Sequence, residues 1–232
     1  MEKYIRAITA LNGLTLSTGN KGEVDRYSES DIFWAANKNK PIPNRKIRKG
    51  NVYQFEFGKN FTPEMSYEHR GLVMGISGKL LYVLPICSFN STRPEHKSAY
   101  HPVDNPITKS NFFLLKSSDH PFLKHDSVLK LNDIRTVSFL RIKYKQEHGY
   151  IGPNSDTYKA LEKLVFSKYF FGYSREYDQL IQKNDELTKS MDVLKSEKET
   201  LQKEIENIRE MVLAHGFDEQ CQAYLKKVFN IE

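Results

Sequence analysis

A seven-residue repeat of apolar side chains in the last quarter of the chain restricts its fold more than any other feature. Two series of positions run through this region. Members of each series are seven residues apart, and each member of the second series lies three residues after one of the first. Positions spaced in this way form one narrow stripe on an α-helix, which is typical of a coiled coil. The pattern therefore predicts a coiled coil over residues 173–215. The first series is Tyr177, Asn184, Met191, Lys198, Ile205 and Val212, and the second is Leu180, Leu187, Leu194, Leu201 and Ile208.

The polar residues inside the repeat favour a parallel dimer. Asn184 would face its own copy across a two-stranded interface, where a hydrogen bond between the two amides fixes the register. Lys198 is tolerated in a dimer because its stem packs while its ammonium group reaches water. A helix packed on its own domain needs a wider apolar stripe than this one. We expect a homodimer whose interface contains Leu180, Asn184, Leu187, Met191, Leu194, Leu201, Ile205 and Ile208.

A second, shorter helix is expected at the end of the chain. Gly216 should end the coil, so that residues 216–232 form a separate element with a broad apolar face. This face can fold back on the coil or dock a partner. Its residues are Phe217, Cys221, Tyr224, Leu225, Val228 and Phe229.

Residues 46–172 have the pattern of a β-rich domain. Ser77, Gly78 and Lys79 predict a tight hairpin turn between two strands, whose near-continuous apolar character indicates burial on both faces. Several short strands with long loops between them indicate a small, strongly curved β-barrel. The predicted strands are residues 52–57, 72–76, 80–84, 112–115, 127–131 and 137–142.

Helices are expected on both sides of these strands in the sequence. Helical spacing over residues 157–170, after a cap at Ser155 or Asp156, predicts a helix that packs on the sheet. Residues 1–45 are expected to be a leader with one short helix, capped by Ser28 or Ser30 and followed by a proline-containing turn.

The formal net charge of +6 is unevenly distributed. Residues 1–173 contain 26 Lys/Arg and 16 Asp/Glu, a net of +10, whereas residues 174–232 contain 9 and 13, a net of −4. A basic body on an acidic stalk suggests a polyanion partner for the body alone. An ordinary solvated basic surface is the competing interpretation.

Composition argues against several classes of protein. No run approaches the roughly 18 apolar residues of a membrane span, and the N-terminus lacks the apolar core of a signal peptide. Cys87 and Cys221 are far apart and lack ligand-like spacing, so we expect neither a disulfide framework nor a metal site. A cytoplasmic protein without a membrane partner is expected.

Four segments follow a known pattern in order and at plausible spacing: residues 47–58, 69–77, 83–88 and 126–136. They resemble the MazF/PemK family of toxins. The last is the most specific, because it closely follows the family's pattern through to Arg135 and Thr136. Asn51 and Glu56 replace the usual acidic pair, and Gly71 stands where proline is usual. The resemblance covers roughly residues 46–170.

The resemblance implies an SH3-like barrel and a metal-independent endoribonuclease without a cofactor. Such an enzyme cleaves single-stranded RNA by attack of a 2′-hydroxyl on the neighbouring phosphate. Family members are usually dimeric and belong to toxin–antitoxin systems, in which an antitoxin neutralises them. The antitoxin is expected to be a protein, while the short hairpin at Gly78 also resembles related toxins that are held by RNA.

The resemblance also identifies candidate catalytic residues. Arg70 matches the family's phosphate-contacting arginine, and a guanidinium can hold two phosphate oxygens together. Cys87 stands where the family has its catalytic threonine, and Ser88 can supply the hydroxyl if it turns inward at the strand end. His69 can shuttle protons near neutral pH. The alternatives are a surface arginine, a small buried cysteine and a loop histidine without a catalytic role.

Further residues are candidates for binding RNA. Lys130, Asn132 and Arg135 match positions at which the family can place functional groups, although Arg135 can instead pair with an acid to hold its strand. A long loop over residues 90–110 interleaves basic and aromatic residues, which suits single-stranded RNA through phosphate attraction and base stacking. A mobile, solvated loop is the alternative. The loop candidates are Arg93, Lys97 and Tyr100, together with His96 and His101.

Two other functions compete with the ribonuclease. A non-catalytic nucleic-acid-binding adaptor would have lost its hydroxyl at Cys87 and would recruit partners through the coiled coil. Alternatively, the acidic stalk replaces an antitoxin or binds one, and inhibits the basic body.

Overall fold

The computed structural model describes residues 1–18, 21–44, 46–106, 109–215 and 219–229. The chain divides into two compact units, Met1–Phe171 and Gly172–Glu232. The helices are α1 (Glu2–Thr18), α2 (Lys21–Asn37), α3 (Pro94–Lys97), α4 (Asp156–Tyr169), α5 (Phe171–His215) and α6 (Glu219–Phe229). The strands are β1 (Asn51–Glu56), β2 (Glu68–Ser77), β3 (Leu80–Ser88), β4 (Phe112–Leu115), β5 (Ser127–Lys130), β6 (Arg135–Ser138) and β7 (Ile142–Tyr150).

The seven strands form one antiparallel sheet in the order β4-β5-β3-β2-β1-β7, with β6 also paired to β3. The first part of β3 pairs with β6 and its last part with β5, so one strand has three neighbours. The end strands β4 and β7 do not pair with each other in the described ranges. The first unit is therefore mainly an antiparallel sheet with helices, and the sheet is not closed into a barrel.

The predicted hairpin joins β2 to β3. Ser77 lies opposite Leu80, and Gly78 has a φ of +58°, which glycine adopts without the clash that a side chain would cause. Gly50, just before β1, has a φ of +84° and a more restrictive environment. Its N–H donates to Val73 and its carbonyl accepts from Ile151, and an added Cβ would clash with the Ile151 carbonyl oxygen.

Both faces of the sheet carry apolar clusters, as the sequence of β2 and β3 predicts. One face packs against α4, where the buried Tyr158 hydroxyl donates to the Met74 carbonyl oxygen at 2.9 Å. The opposite face carries a second cluster centred on Phe55, Val73 and Val83. Helix α4 begins as predicted, because the Ser155 hydroxyl accepts the Tyr158 N–H at 3.2 Å.

The N-terminal region differs from the prediction. Two helices of 17 residues each occupy it instead of one short helix. The predicted cap at Ser28 or Ser30 is wrong, since both serines lie inside α2. The Ser28 hydroxyl donates to the Val24 carbonyl oxygen, and the buried Ser30 donates to Glu56 on β1. Ser30 is therefore a tertiary contact that joins α2 to the sheet.

Two other segments are more structured than expected. The strand predicted at residues 137–142 is interrupted, because a 3₁₀ turn at Phe139–Arg141 separates β6 from β7. Most of β7 was missed because its side chains are largely polar and solvent-facing. The 90–110 loop contains α3 and isolated bridges that pair Tyr100 with Phe113 and His101 with Asn105.

The second unit consists of α5 and α6. Helix α5 has 45 residues and includes both heptad series, so the predicted helix is confirmed. Leu180, Leu187 and Leu194 are each 64% exposed on the single chain. The coiled-coil dimer stays a prediction.

The predicted terminal helix corresponds to α6, on which Tyr224 and Leu225 are half-buried. Gly216 and Phe217 lie outside the described residues, as do the side chains of Cys221, Val228 and Phe229. No helix in the described part of the chain is long and apolar enough to cross a membrane.

Candidate functional site

The start of β2, the end of β3 and the start of β5 lie side by side at one edge of the sheet. Arg70 lies opposite Ile86, and Ser88 lies opposite Ser127. Residues that face each other across a ladder share one side of the sheet, as do alternate residues of one strand. Arg70, Ser88 and Ser127 are therefore on the same side. The Arg70 Nη2 donates to the Ser127 Oγ at 3.2 Å, so the guanidinium contacts the residue directly opposite Ser88.

Ser88 also has a histidine partner. Its Oγ lies 2.8 Å from the Nε2 of His125, two residues before β5, and both side chains are exposed. A hydroxyl and an imidazole at this distance can pass a proton between them. Sequence reasoning missed His125, because 37 residues separate the two and only the β3–β5 register joins them. The only feature of the sequence that could have indicated a role for His125 is its position close to the start of the strand predicted at residues 127–131.

Cys87 and His69 project from the opposite side of these strands, where they lie across from Val128 and Phe55. Burial raises the pKa of the Cys87 thiol, so the thiol is uncharged at neutral pH. Burial also lowers the pKa of His69, whose imidazole is then neutral and able to accept a proton. Cys87 has the environment of a small apolar residue, while Ser88 presents the exposed hydroxyl.

Arg70 is half-buried beneath this edge. Burial lowers the pKa of its guanidinium from the ordinary value. An arginine side chain nevertheless stays protonated at neutral pH. The site therefore contains a fixed positive charge next to an exposed hydroxyl and an exposed imidazole.

A pocket of about 590 Å³ opens at this edge of the sheet. Its lining includes His69, Cys87 and Ser88, together with Arg93 and His96 from the loop. The pocket thus brings together three predicted catalytic residues and two of the loop candidates for RNA binding, whereas Arg70 and His125 are not part of its lining. A volume of this size accommodates a nucleotide-sized group.

His96 connects the loop to this pocket. It is 2% exposed, its Nδ1 accepts the Asn90 N–H at 3.0 Å, and its ring lies 5.0 Å from that of Phe112. Because Nδ1 accepts, Nε2 must hold the proton, and Nε2 has no hydrogen-bond partner among the described residues. Burial lowers the pKa of His96. This part of the loop is thus packed against the sheet, in contrast to a mobile, solvated loop.

Asp133 holds Arg135 and lies near Lys130 beside the pocket. Arg135 donates to both Asp133 carboxylate oxygens, at 2.8 and 3.0 Å, as the pairing alternative predicts. The buried Lys130 donates to the Pro63 carbonyl oxygen and lies 4.0 Å from Asp133, whose Oδ2 accepts the Met65 N–H. These two cations therefore organise the loop before β2 and are not presented to solvent.

The remaining predicted RNA-binding residues lie outside the pocket lining. Asn132 and Lys97 are exposed. Tyr100 is half-buried and packs on Phe113, with 5.4 Å between ring centroids. Within the described ranges, no group of three or more His, Cys, Asp or Glu side chains is arranged to hold a metal ion.

No family model matches the chain, and no curated protein matches it. The function is therefore inferred from the arrangement of these side chains.

Proposed function

We propose that the chain is a toxin-type, metal-independent endoribonuclease that cleaves single-stranded RNA. The observation that carries the proposal is the 2.8 Å contact between Ser88 and His125, with the Arg70 guanidinium alongside. These three groups supply a proton acceptor, a hydroxyl and a fixed positive charge around one position. RNA cleavage without a metal requires that the 2′-hydroxyl is activated, the charge on the phosphate stabilised and the leaving 5′-oxygen protonated, and these groups can take those roles.

The reaction begins when a 2′-hydroxyl attacks the adjacent phosphorus. His125 accepts the proton of that hydroxyl, directly or through Ser88, as the new O2′–P bond forms. Arg70 stabilises the negative charge on the phosphate oxygens while the P–O5′ bond breaks. The proton then passes to the leaving 5′-oxygen. The products are a 2′,3′-cyclic phosphate and a 5′-hydroxyl.

We also propose that the sheet has an SH3-like barrel arrangement of the MazF/PemK kind, and that an antitoxin neutralises the chain. Two observations support the barrel: β3 divides its pairing among three strands, and both faces of the sheet bury apolar side chains. The pocket at the sheet edge is the surface that an antitoxin, either a protein or an RNA, would have to cover.

The ribonuclease is tested by incubating the purified chain with a long single-stranded RNA in EDTA. We expect cuts at a short recurring sequence that leave 5′-hydroxyl ends. Arg70→Ala should lower the rate by about 10²- to 10³-fold, because it removes a preorganised donor to the developing charge. Arg48→Ala, which removes an exposed arginine that, unlike Arg70, makes no hydrogen bond to Ser127, should leave the rate unchanged. Equal cutting by the Arg70→Ala protein would show a contaminant or a misplaced site.

One observation favours the non-catalytic adaptor as a second candidate. The residue at the expected threonine position, Cys87, is a half-buried and uncharged thiol. The adaptor predicts RNA binding without cleavage by the intact chain. Wild-type protein that retains the RNA on a filter and never cuts it would favour the adaptor.

The coiled-coil dimer is tested at the centre of α5. Leu194→Asp places a charge in the heptad stripe, whereas Val193→Asp places the same charge one residue outside it, and both side chains are exposed on the single chain. In sedimentation equilibrium we expect dimers for the wild type and Val193→Asp, and monomers for Leu194→Asp. A monomeric wild type at micromolar concentration would contradict the dimer.

A further inference from the structure

A second pocket, of about 570 Å³, lies between α2 and the sheet. Helix α2 contributes Phe33 and Trp34 to its lining, and Lys38 follows directly after the helix. The region around β1 and the 3₁₀ turn contributes Glu56 and Arg141. None of these five residues lines the pocket at Ser88. The two pockets are therefore separate sites.

The floor of this α2 pocket is preformed. Glu56 is 4% exposed, and its Oε1 accepts hydrogen bonds from the Ser30 hydroxyl at 2.9 Å and the Gly58 N–H at 2.8 Å. Arg141 Nη1 donates to the Glu56 carbonyl oxygen at 2.9 Å. These bonds join the helix, the strand and the 3₁₀ turn, so the pocket needs little rearrangement to accept a ligand.

An aromatic ring and a positive charge lie against each other in this pocket. Trp34 is 58% exposed, and the Lys38 ammonium group lies 4.5 Å from the centroid of its ring. Three cations and two carboxylates line the pocket. Asp31 is paired with Lys59 at 2.6 Å. The Glu56 carboxylate accepts only from the uncharged Ser30 hydroxyl and Gly58 N–H, so the lining as a whole has a surplus of one positive charge. Lys38 and Arg141 form no ion pair in the described part of the chain and are free to meet an anion.

We propose that the α2 pocket binds a nucleotide unit. The base stacks on Trp34 in place of the Lys38 ammonium group, which turns from the ring to the phosphate and holds it together with Arg141. A flat aromatic group and an anion in one ligand satisfy both the exposed ring and the surplus charge. A purely cationic ligand would be repelled by the three cations already there. The nucleotide can come from two sources, a free mononucleotide or one residue of a single-stranded RNA.

Tryptophan fluorescence measures binding to this pocket directly, because Trp34 is the single tryptophan of the chain. Intrinsic fluorescence is followed while adenosine 5′-monophosphate, a short oligoadenylate, adenosine or inorganic phosphate is added to the full-length protein. We expect saturable quenching by the monophosphate and the oligoadenylate, and weaker binding of adenosine. Tighter binding of the oligoadenylate identifies RNA as the source, and equal affinity identifies the free nucleotide.

Variants test the assigned roles. Lys38→Gln and Arg141→Ala should each weaken binding of the monophosphate by about tenfold or more, since each removes a charge-assisted contact. Lys40→Gln, near the same end of α2 but outside the lining, should not change the affinity. Ser88→Ala should not change it either, which separates this site from cleavage. Absence of saturable quenching, or an unchanged affinity in Lys38→Gln, would overturn the proposal.

Discussion

Replacing His125 by alanine is expected to reduce RNA cleavage by about 10²- to 10⁴-fold, the usual contribution of a general acid–base group. The imidazole Nε2 lies 2.8 Å from the Ser88 hydroxyl, and no other group in the proposed reaction takes the 2′-hydroxyl proton. The rate is measured as initial cleavage of a defined oligoribonucleotide in EDTA. His148→Asn provides the control, because it removes an exposed histidine whose partner is Glu147 and not Ser88.

Two additional measurements distinguish catalysis from a structural role for His125. Added imidazole should partly restore cleavage to His125→Ala, because a free base can occupy the vacated space. The double variant with Ser88→Ala should be little slower than His125→Ala alone, since residues that act as one unit do not contribute additively. An unchanged rate in His125→Ala would remove the Ser88–His125 pair from the mechanism.

Replacing Asp133 by alanine is expected to lower the free energy of unfolding of the first unit by about 3–5 kcal/mol. Asp133 is 8% exposed and accepts hydrogen bonds from the Nε and Nη2 atoms of Arg135, whose side chain is 14% exposed. It also accepts the Met65 N–H, and Lys130 lies 4.0 Å away. The substitution removes the buried carboxylate beside both cations and leaves Arg135, among the described residues, only the exposed Glu64, at 3.8 Å. Urea unfolding followed by Trp34 fluorescence measures the loss.

Asp104→Ala is the matched control for that measurement. Asp104 also pairs with a lysine and a histidine, Lys116 and His101, but its side chain is 46% exposed. An ion pair that is accessible to water contributes about 1 kcal/mol or less. Equal losses in the two variants would show that burial of the Asp133 cluster contributes nothing beyond an exposed pair.

The parts of the fold that the sequence predicts are those with strong local signals. The β2–β3 hairpin depends on its turn residues and on two apolar strands, and α4 depends on the Ser155 cap and helical spacing. The heptads of α5 predict its helix for the same reason. Strand β7 has no such signal, because it is bound by ladder hydrogen bonds to β1 while most of its side chains face solvent.

The candidate site is less accessible from sequence, because distant segments form it. Arg70 and Ser88 were candidates by resemblance, yet their placement on one side of the sheet follows from the β2–β3 register. His125 joins them only through the pairing of β3 with β5. The α2 pocket likewise depends on the Ser30–Glu56 contact, which no periodicity in α2 indicates.

The backbone at Gly50 has a consequence for how sequences related to this one can diverge. A side chain at position 50 would be strained by the positive φ and would clash with the Ile151 carbonyl oxygen. At Gly78, in contrast, nothing lies within 4 Å of an added Cβ. Asparagine or aspartate can therefore replace Gly78 in a natural variant at small cost. Position 50 should tolerate almost no exchange, so a homologue that lacks glycine there must build the junction of β1, β2 and β7 differently.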